Sequence, residues 1–261
     1  MGEQTQINIK RGMHMIKIGI TERGDAGINM AWVDKLQFVD GAVLISKNFT
    51  EQFAQNVLAS TKPLILHCTC TGYGHSELEP NVPDYKTQLN SLKNIIDRGF
   101  NPACCVLRID PIFPSEKGLN RVREVLNYFI SLNTGITRIR VSIVDEYPHV
   151  RERYAQRGWT PLYNGNFGPS KEQVEAVAHL LNAYSFTYEV CAENYLAQRL
   201  RDSQILGCVS VKDLHAMGIP ADEAMTVNPQ RRTGCHCLSC KTELLTERKP
   251  CPHQCVYCFW K

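Results

Sequence analysis

Residues 63–71 read PLILHCTCT, and this stretch decides the fold. It is an apolar run of strand length that turns polar at its end. In an extended chain side chains alternate between two faces. His67, Thr69 and Thr71 therefore share one face, and Cys68 and Cys70 the other. A run this apolar on both faces belongs in a parallel sheet covered by helices. The first face then lines a polar lumen, and the two cysteines pack between sheet and helices.

Strand-like runs lie on both sides of it, at residues 15–20, Gly41–Ser46, and residues 103–109, 137–144 and 186–191. Helical spacing occupies the gaps, at residues 51–59, 84–97, 116–132, 171–183 and 194–201. Gly99 suits a helix C-cap. Strands alternating with helices predict an α/β fold: a (β/α) barrel, partial or complete, with its active residues after the strands. Past residue 218 prolines and cysteines replace the rhythm. The expected organisation is a loose arm over residues 1–14, the barrel over 15–217, and a cysteine-rich, metal-held tail over 218–261.

The chain has 261 residues, is 43% hydrophobic and 21% charged, and carries a formal charge of +3. That composition supports one sizeable core and argues against wholesale disorder. So small a charge does not demand a nucleic-acid partner. No apolar run reaches membrane length. The first residues hold no apolar signal, and Gln6 stands where myristoylation needs Ser or Thr. The expectation is a cytoplasmic protein with no membrane partner.

The unusual feature is twelve cysteines, six of them crowded between positions 235 and 258. Outside a secreted disulfide scaffold, such clustering points to a metal or a reactive thiol. Cys251, Cys255 and Cys258 have the spacing C-x3-C-x2-C. Three thiolates on one loop can hold a [4Fe–4S] cluster and leave one iron open to S-adenosylmethionine (SAM), whose cleavage yields a 5′-deoxyadenosyl radical. Tyr257, just before the third cysteine, is then placed to flank the adenine. A competing reading takes Cys237-x2-Cys240 with Cys255-x2-Cys258 as a two-knuckle zinc site, a structural staple. A third keeps the cluster and gives Cys235, Cys237 and Cys240 a second metal. Spacing leaves iron–sulfur and zinc both open.

These landmarks resemble the bacterial family called domain of unknown function 1848. The resemblance runs from about residue 20 onward through Ser46-Lys47-Asn48, Thr71-Gly72-Tyr73 and the segment Leu78-Glu79-Pro80-Asn81-Val82-Pro83. It continues through Arg108-Ile109-Asp110-Pro111-Ile112, Asp145-Glu146-Tyr147 and Gly234-Cys235-His236-Cys237 to the last three cysteines. Residues 78–83 and 111–114 also look like the spore photoproduct lyase group of radical SAM enzymes. There the cysteine loop comes first, and here it comes last, which implies a permuted order. Two stretches depart from the family pattern: Cys240 stands where Ser is usual, and Arg23-Gly24-Asp25 replaces a more arginine-rich turn. The resemblance implies a cofactor class but no reaction.

Among other residues, Lys47 follows a strand and suits a carboxylate such as that of SAM. Arg108 and Asp110 share a face of one strand; they line the site or pair with each other. Glu79 stands at an expected helix start, and Asp145, Glu146, Tyr147, His149 and Glu193 offer acid–base or hydrogen-bonding groups after strands. Arg151, Arg153 and Arg157, and Arg231, Arg232, Arg248 and Lys249 near the cysteines, suit either phosphate contacts or a solvated face. The sequence thus leans toward a radical SAM-type enzyme in which Cys251, Cys255 and Cys258 hold the cluster and Lys47, Arg108, Asp110 and Tyr257 face the cofactor. It would need an electron donor and a small-molecule or nucleic-acid substrate, with a base preferred by analogy. The alternatives are a zinc-stapled barrel that binds nucleic acid or a protein, and a hydrolase or isomerase working through Asp110, Asp145 and Glu193.

Overall fold

A computed structural model describes residues 15–221, 235–247 and 250–260. The expected arm at residues 1–14 and the basic residues Arg231, Arg232, Arg248 and Lys249 lie outside the described residues.

Eight parallel strands form one sheet with helices interleaved: β1 (Ile18–Ile20), β2 (Gly41–Ser46), β3 (Leu64–Thr69), β4 (Cys105–Ile112), β5 (Arg138–Ile143), β6 (Tyr188–Val190), β7 (Ser203–Ile205) and β8 (Lys241–Glu243). Strands β1 to β7 lie side by side in chain order, and β8 pairs with the free side of β1. Lys241–Glu243, in the segment read as tail, is thus an integral strand. No ladder joins β7 to β8 among the described residues. The segments beside these strands do touch, because Leu238 N–H donates to the Val209 carbonyl at 3.0 Å. The fold is an α/β parallel sheet of eight strands that is not closed among the described residues.

Local sequence fixes the helices. Helices α1 (Glu51–Leu58), α2 (Tyr85–Asp97) and α3 (Glu116–Ser131) are N-capped by Thr50, Asp84 and Ser115. Helix α4 (Pro148–Ala155) starts on a proline. Helices α5 (Lys171–Leu181) and α7 (Val211–Ala216) have capping boxes at Ser170–Gln173 and Ser210–Asp213. Helix α6 (Asn194–Arg199) precedes β7. Gly99 adopts φ +105° just after α2, as expected of a C-cap region.

The alternation of each strand sorts the core into layers. Outward residues such as Leu44, Leu66, Cys68, Leu107 and Val141 pack with helix residues Phe53, Leu92, Val125 and Val177. Inward residues Ile18, Ile20, Val43, Ile45, Ile65 and Val106 meet Leu214 and Met217 of the α7 region, which plug the interior. Farther along β3 and β4 the inward face turns polar, with His67 and Thr69 and then Arg108 and Asp110, while on β5 it is polar from the first residue, with Arg138 and Arg140. Cys68 and Cys70 belong to the outer layer, as the alternation in residues 63–71 requires.

Candidate metal centre

The cysteine loop lies over the C-terminal ends of the strands. Tyr73, Phe113, Val144 and Tyr154 from post-strand segments and α4 pack with Cys255, Val256 and Tyr257 in one apolar cluster. Phe113 sets its ring 5.3 Å from Tyr257 and 5.0 Å from Tyr73. Val82 belongs to the same cluster and Leu78 and Tyr147 pack against it, so the landmarks at residues 71–73, 78–83 and 145–147 converge on the tail.

Polar contacts fix the loop in place. Val256 N–H donates to the Leu78 carbonyl at 2.9 Å, and Asn81 Nδ2 donates to the Pro252 carbonyl at 2.7 Å. His253 Nε2 meets Asp25 Oδ2 at 2.8 Å, and its Nδ1 lies 3.1 Å from the Asn81 carbonyl. Burial pulls the imidazole down, but the Asp25 carboxylate overrides it and raises His253 above its ordinary value. Asp25 also receives the Gly27 and Lys47 N–H groups and the Ser46 hydroxyl.

Lys47 reaches Glu79 Oε1 at 2.8 Å, and Tyr257 donates its hydroxyl to the same carboxylate. The Lys47 ammonium sits 5.7 Å from the centre of the Tyr257 ring. Burial lowers the Lys47 pKa, and Glu79 and then Cys255 more than compensate, so the ammonium is held above its usual value. Burial pushes the Cys255 thiol up to about 12, while Lys47 draws it down. Cys251 is raised as well, chiefly by burial. A bound cation would lower these thiols, because a coordinating thiol deprotonates. A cavity of about 260 Å³ lined by Arg23, Asp25, Asn29 and Cys251 opens beside the loop.

Beneath the loop, Arg108 and Asp110 pair, and Ser142 donates to Asp110 Oδ1 at 2.6 Å. Deeper in the lumen, Glu189 binds Arg138 at 2.7 Å and Arg140 at 2.6 Å, and Asp213 binds Arg138 at 2.7 Å. His67 is fully buried beside these guanidinium groups. Burial first, and then Arg140, Arg108 and Arg138, lower its pKa well below the ordinary value and keep the ring neutral. Among the described residues, neither His67 ring nitrogen, nor the Thr69 hydroxyl, nor Arg108 Nε has a hydrogen-bond partner.

Other expected residues have structural duties. Glu146 accepts from Leu162 N–H at 2.7 Å and is fully buried, so it anchors the loop after α4. Tyr147 and His149 stack, and Phe259 lies 4.7 Å from Tyr147. Arg153 donates to the Cys258 carbonyl, and Arg157 lies over Trp159. The cysteines of the zinc-knuckle reading sit in different surroundings. Cys237 meets Cys208, Cys240 packs on the inner apolar cluster, and Cys255 belongs to the cluster at the strand ends. Cys235 is half-buried.

The roles of Asp25 and His253 were not evident from sequence. His253 lies between two cysteines of the tail motif, which is the one local hint. Its partner is far away in the chain.

The architecture is that of an α/β parallel-sheet protein whose cysteine loop caps the strand ends. The chain belongs to the family Domain of unknown function (DUF1848), whose model matches residues 25–260. No curated protein and no solved structure matches it significantly. Among the described residues, no helix is long and apolar enough to cross a membrane.

Proposed function

We propose that this protein is a radical SAM-type iron–sulfur enzyme. The observation that carries the reading is the seat of the C-x3-C-x2-C loop over the C-terminal ends of parallel strands, where α/β barrels place their chemistry. The donor set fits a [4Fe–4S] cluster on Cys251, Cys255 and Cys258: three soft ligands on one loop, with an apolar wall of Phe113 and Tyr257. A cluster held there, reduced by an external electron donor, would supply the electron that cleaves the sulfonium of SAM.

The chain's own residues would do the rest. Asp25 and Glu79 fix the loop through His253 and Tyr257. Lys47, Arg108, Asp110 and Tyr257 face the cofactor and substrate side. The buried, unpartnered groups of His67, Thr69 and Arg108 offer hydrogen bonds to a polar ligand in the lumen. His67 stays neutral, so it recognises rather than ionises. A nucleobase is the preferred substrate class, since its polar edge suits such groups and the exposed rings of Phe259 and Trp260 lie beside the loop.

The test is anaerobic reconstitution followed by iron analysis and electron paramagnetic resonance of the reduced protein, with and without SAM. About four irons per chain and a spectrum altered by SAM are expected. Zinc in place of iron, with no response to SAM, would make the tail a structural staple.

A further inference from the structure

We propose a second metal site, separate from the Cys251, Cys255 and Cys258 loop, in which Cys208, Cys237 and Glu22 bind one zinc-class divalent ion and clasp the open seam of the sheet. The ligand atoms of these three residues all lie within 4.8 Å of one another. A tetrahedral zinc ion with bonds of about 2.3 Å spaces its ligand atoms roughly 3.8 Å apart, so small shifts would suffice. A fourth position has a near candidate in Cys191, whose Sγ is 4.0 Å from that of Cys208. Two thiols and a carboxylate suit zinc better than a hard cation such as magnesium.

The surroundings are built for close approach. Cys208 N–H points at Cys237 Sγ from 3.2 Å. A Cβ on Gly207 would come within 2.3 Å of the Cys237 nitrogen, so only glycine lets the two segments meet. Charge also balances. Two thiolates and a carboxylate around a divalent ion leave one negative charge, and the Lys241 ammonium already lies 3.0 Å from Glu22. Lys241 uses both Glu22 oxygens, yet each carboxylate oxygen has a lone pair to spare for an ion.

The location gives the ion a purpose. Glu22 follows β1, Cys208 follows β7, and Cys237 precedes β8. These are the strands around the missing β7–β8 ladder. An ion there would replace absent backbone hydrogen bonds with metal–ligand bonds and tie distant parts of the chain together.

The experiment uses the full chain carrying Cys251→Ala, Cys255→Ala and Cys258→Ala, stripped of metal and titrated with zinc or cobalt(II). We expect about one equivalent of zinc, and thiolate charge-transfer absorption with cobalt. Adding Cys208→Ser and Cys237→Ser should reduce binding to near zero, whereas Cys240→Ser should leave it unchanged. No binding, or binding that survives loss of both ligands, overturns the proposal. If the tail variant does not fold, the same pair is placed in the unaltered chain. Bound zinc should then fall by one equivalent while circular dichroism stays native, and an unchanged count overturns the site. Because the primary titration omits Cys251, Cys255 and Cys258, its outcome is independent of the iron–sulfur reading.

Discussion

His253 Nε2 lies 2.8 Å from Asp25 Oδ2, a contact between residues 228 positions apart. Through it the cysteine loop is tied to the loop after β1. The same carboxylate takes the Ser46 hydroxyl and the Lys47 N–H, so one side chain joins two post-strand loops to the tail.

Asp25→Ala should therefore loosen the tail before it unfolds the sheet. The change strands several buried donors at about 1–3 kcal/mol each. Hydrogen exchange in a peptide spanning residues 251–258 should accelerate by at least tenfold, with smaller effects in β3 and β4. Uniform acceleration across the sheet would show that Asp25 supports the whole fold rather than the loop.

Glu79 is fully buried and serves both Lys47 and Tyr257. Glu79→Gln leaves the Lys47 ammonium with a neutral partner, at a cost of about 3 kcal/mol in urea unfolding. Lys47→Met added to it should recover part of that loss, because the stranded charge is gone. If the two losses simply add, the pair is not energetically coupled.

Glu189 provides the pH test. Burial would raise its pKa, but the charge of Arg140 and the hydrogen bonds of Arg138 outweigh burial and hold it far below 4.5. A carboxylate depressed on folding stabilises the protein above its unfolded value and loses that contribution as pH falls toward the folded one. The stability gap between the native chain and Glu189→Gln should be full above pH 4.5 and shrink below it. A gap that is constant with pH would mean the ion pairs do not titrate in this way.

Much of the architecture was legible in sequence because buried parallel strands are continuous apolar runs. Gly41–Ser46 and the run at residues 63–71 are clear cases, and each helix beside them starts at or near a capping residue. Strands β7 and β8 escaped because each has three residues, largely polar and partly exposed, with no apolar periodicity. Helix α7 escaped because its six residues hold only two large apolar side chains, Val211 and Leu214, and so show no period. At the site, the thiol spacing of Cys251, Cys255 and Cys258 is local and could be read directly. The pairs Asp25–His253 and Glu79–Tyr257 could not, since spacing encodes no contact between distant segments. Lys47 illustrates the mixture: its place after a strand was legible, while its carboxylate partner proved to be Glu79.

Cys68 and Cys70 offer a negative control on the cysteine count. Both sit in the outer layer, and burial lifts the Cys68 thiol to about 12. A thiol so poorly ionised in an apolar setting is inert packing. Cys68→Ala with Cys70→Ala should cost about 2 kcal/mol for the lost packing and leave metal content unchanged. Loss of a full metal equivalent would show that they are ligands rather than packing.

The seam between β7 and β8 makes the last prediction. Gly207 has no positive φ, so alanine suits its backbone conformation. The obstacle is space: an added Cβ would sit 2.3 Å from the Cys237 nitrogen and 2.4 Å from its Cα. Both are backbone atoms and cannot swing aside as a side chain would. Gly207→Ala must push the segments after β7 and before β8 apart, at about 1–3 kcal/mol. One casualty is the 3.0 Å bond from Leu238 N–H to the Val209 carbonyl, so the Leu238 amide should exchange faster than in the native chain. Gly158 is the control, because nothing lies within 4 Å of its added Cβ and its cost is the strain of φ +69° alone. Gly158→Ala should leave Leu238 exchange unaltered. Equal responses to the two substitutions would mean that the seam is not held by this close approach.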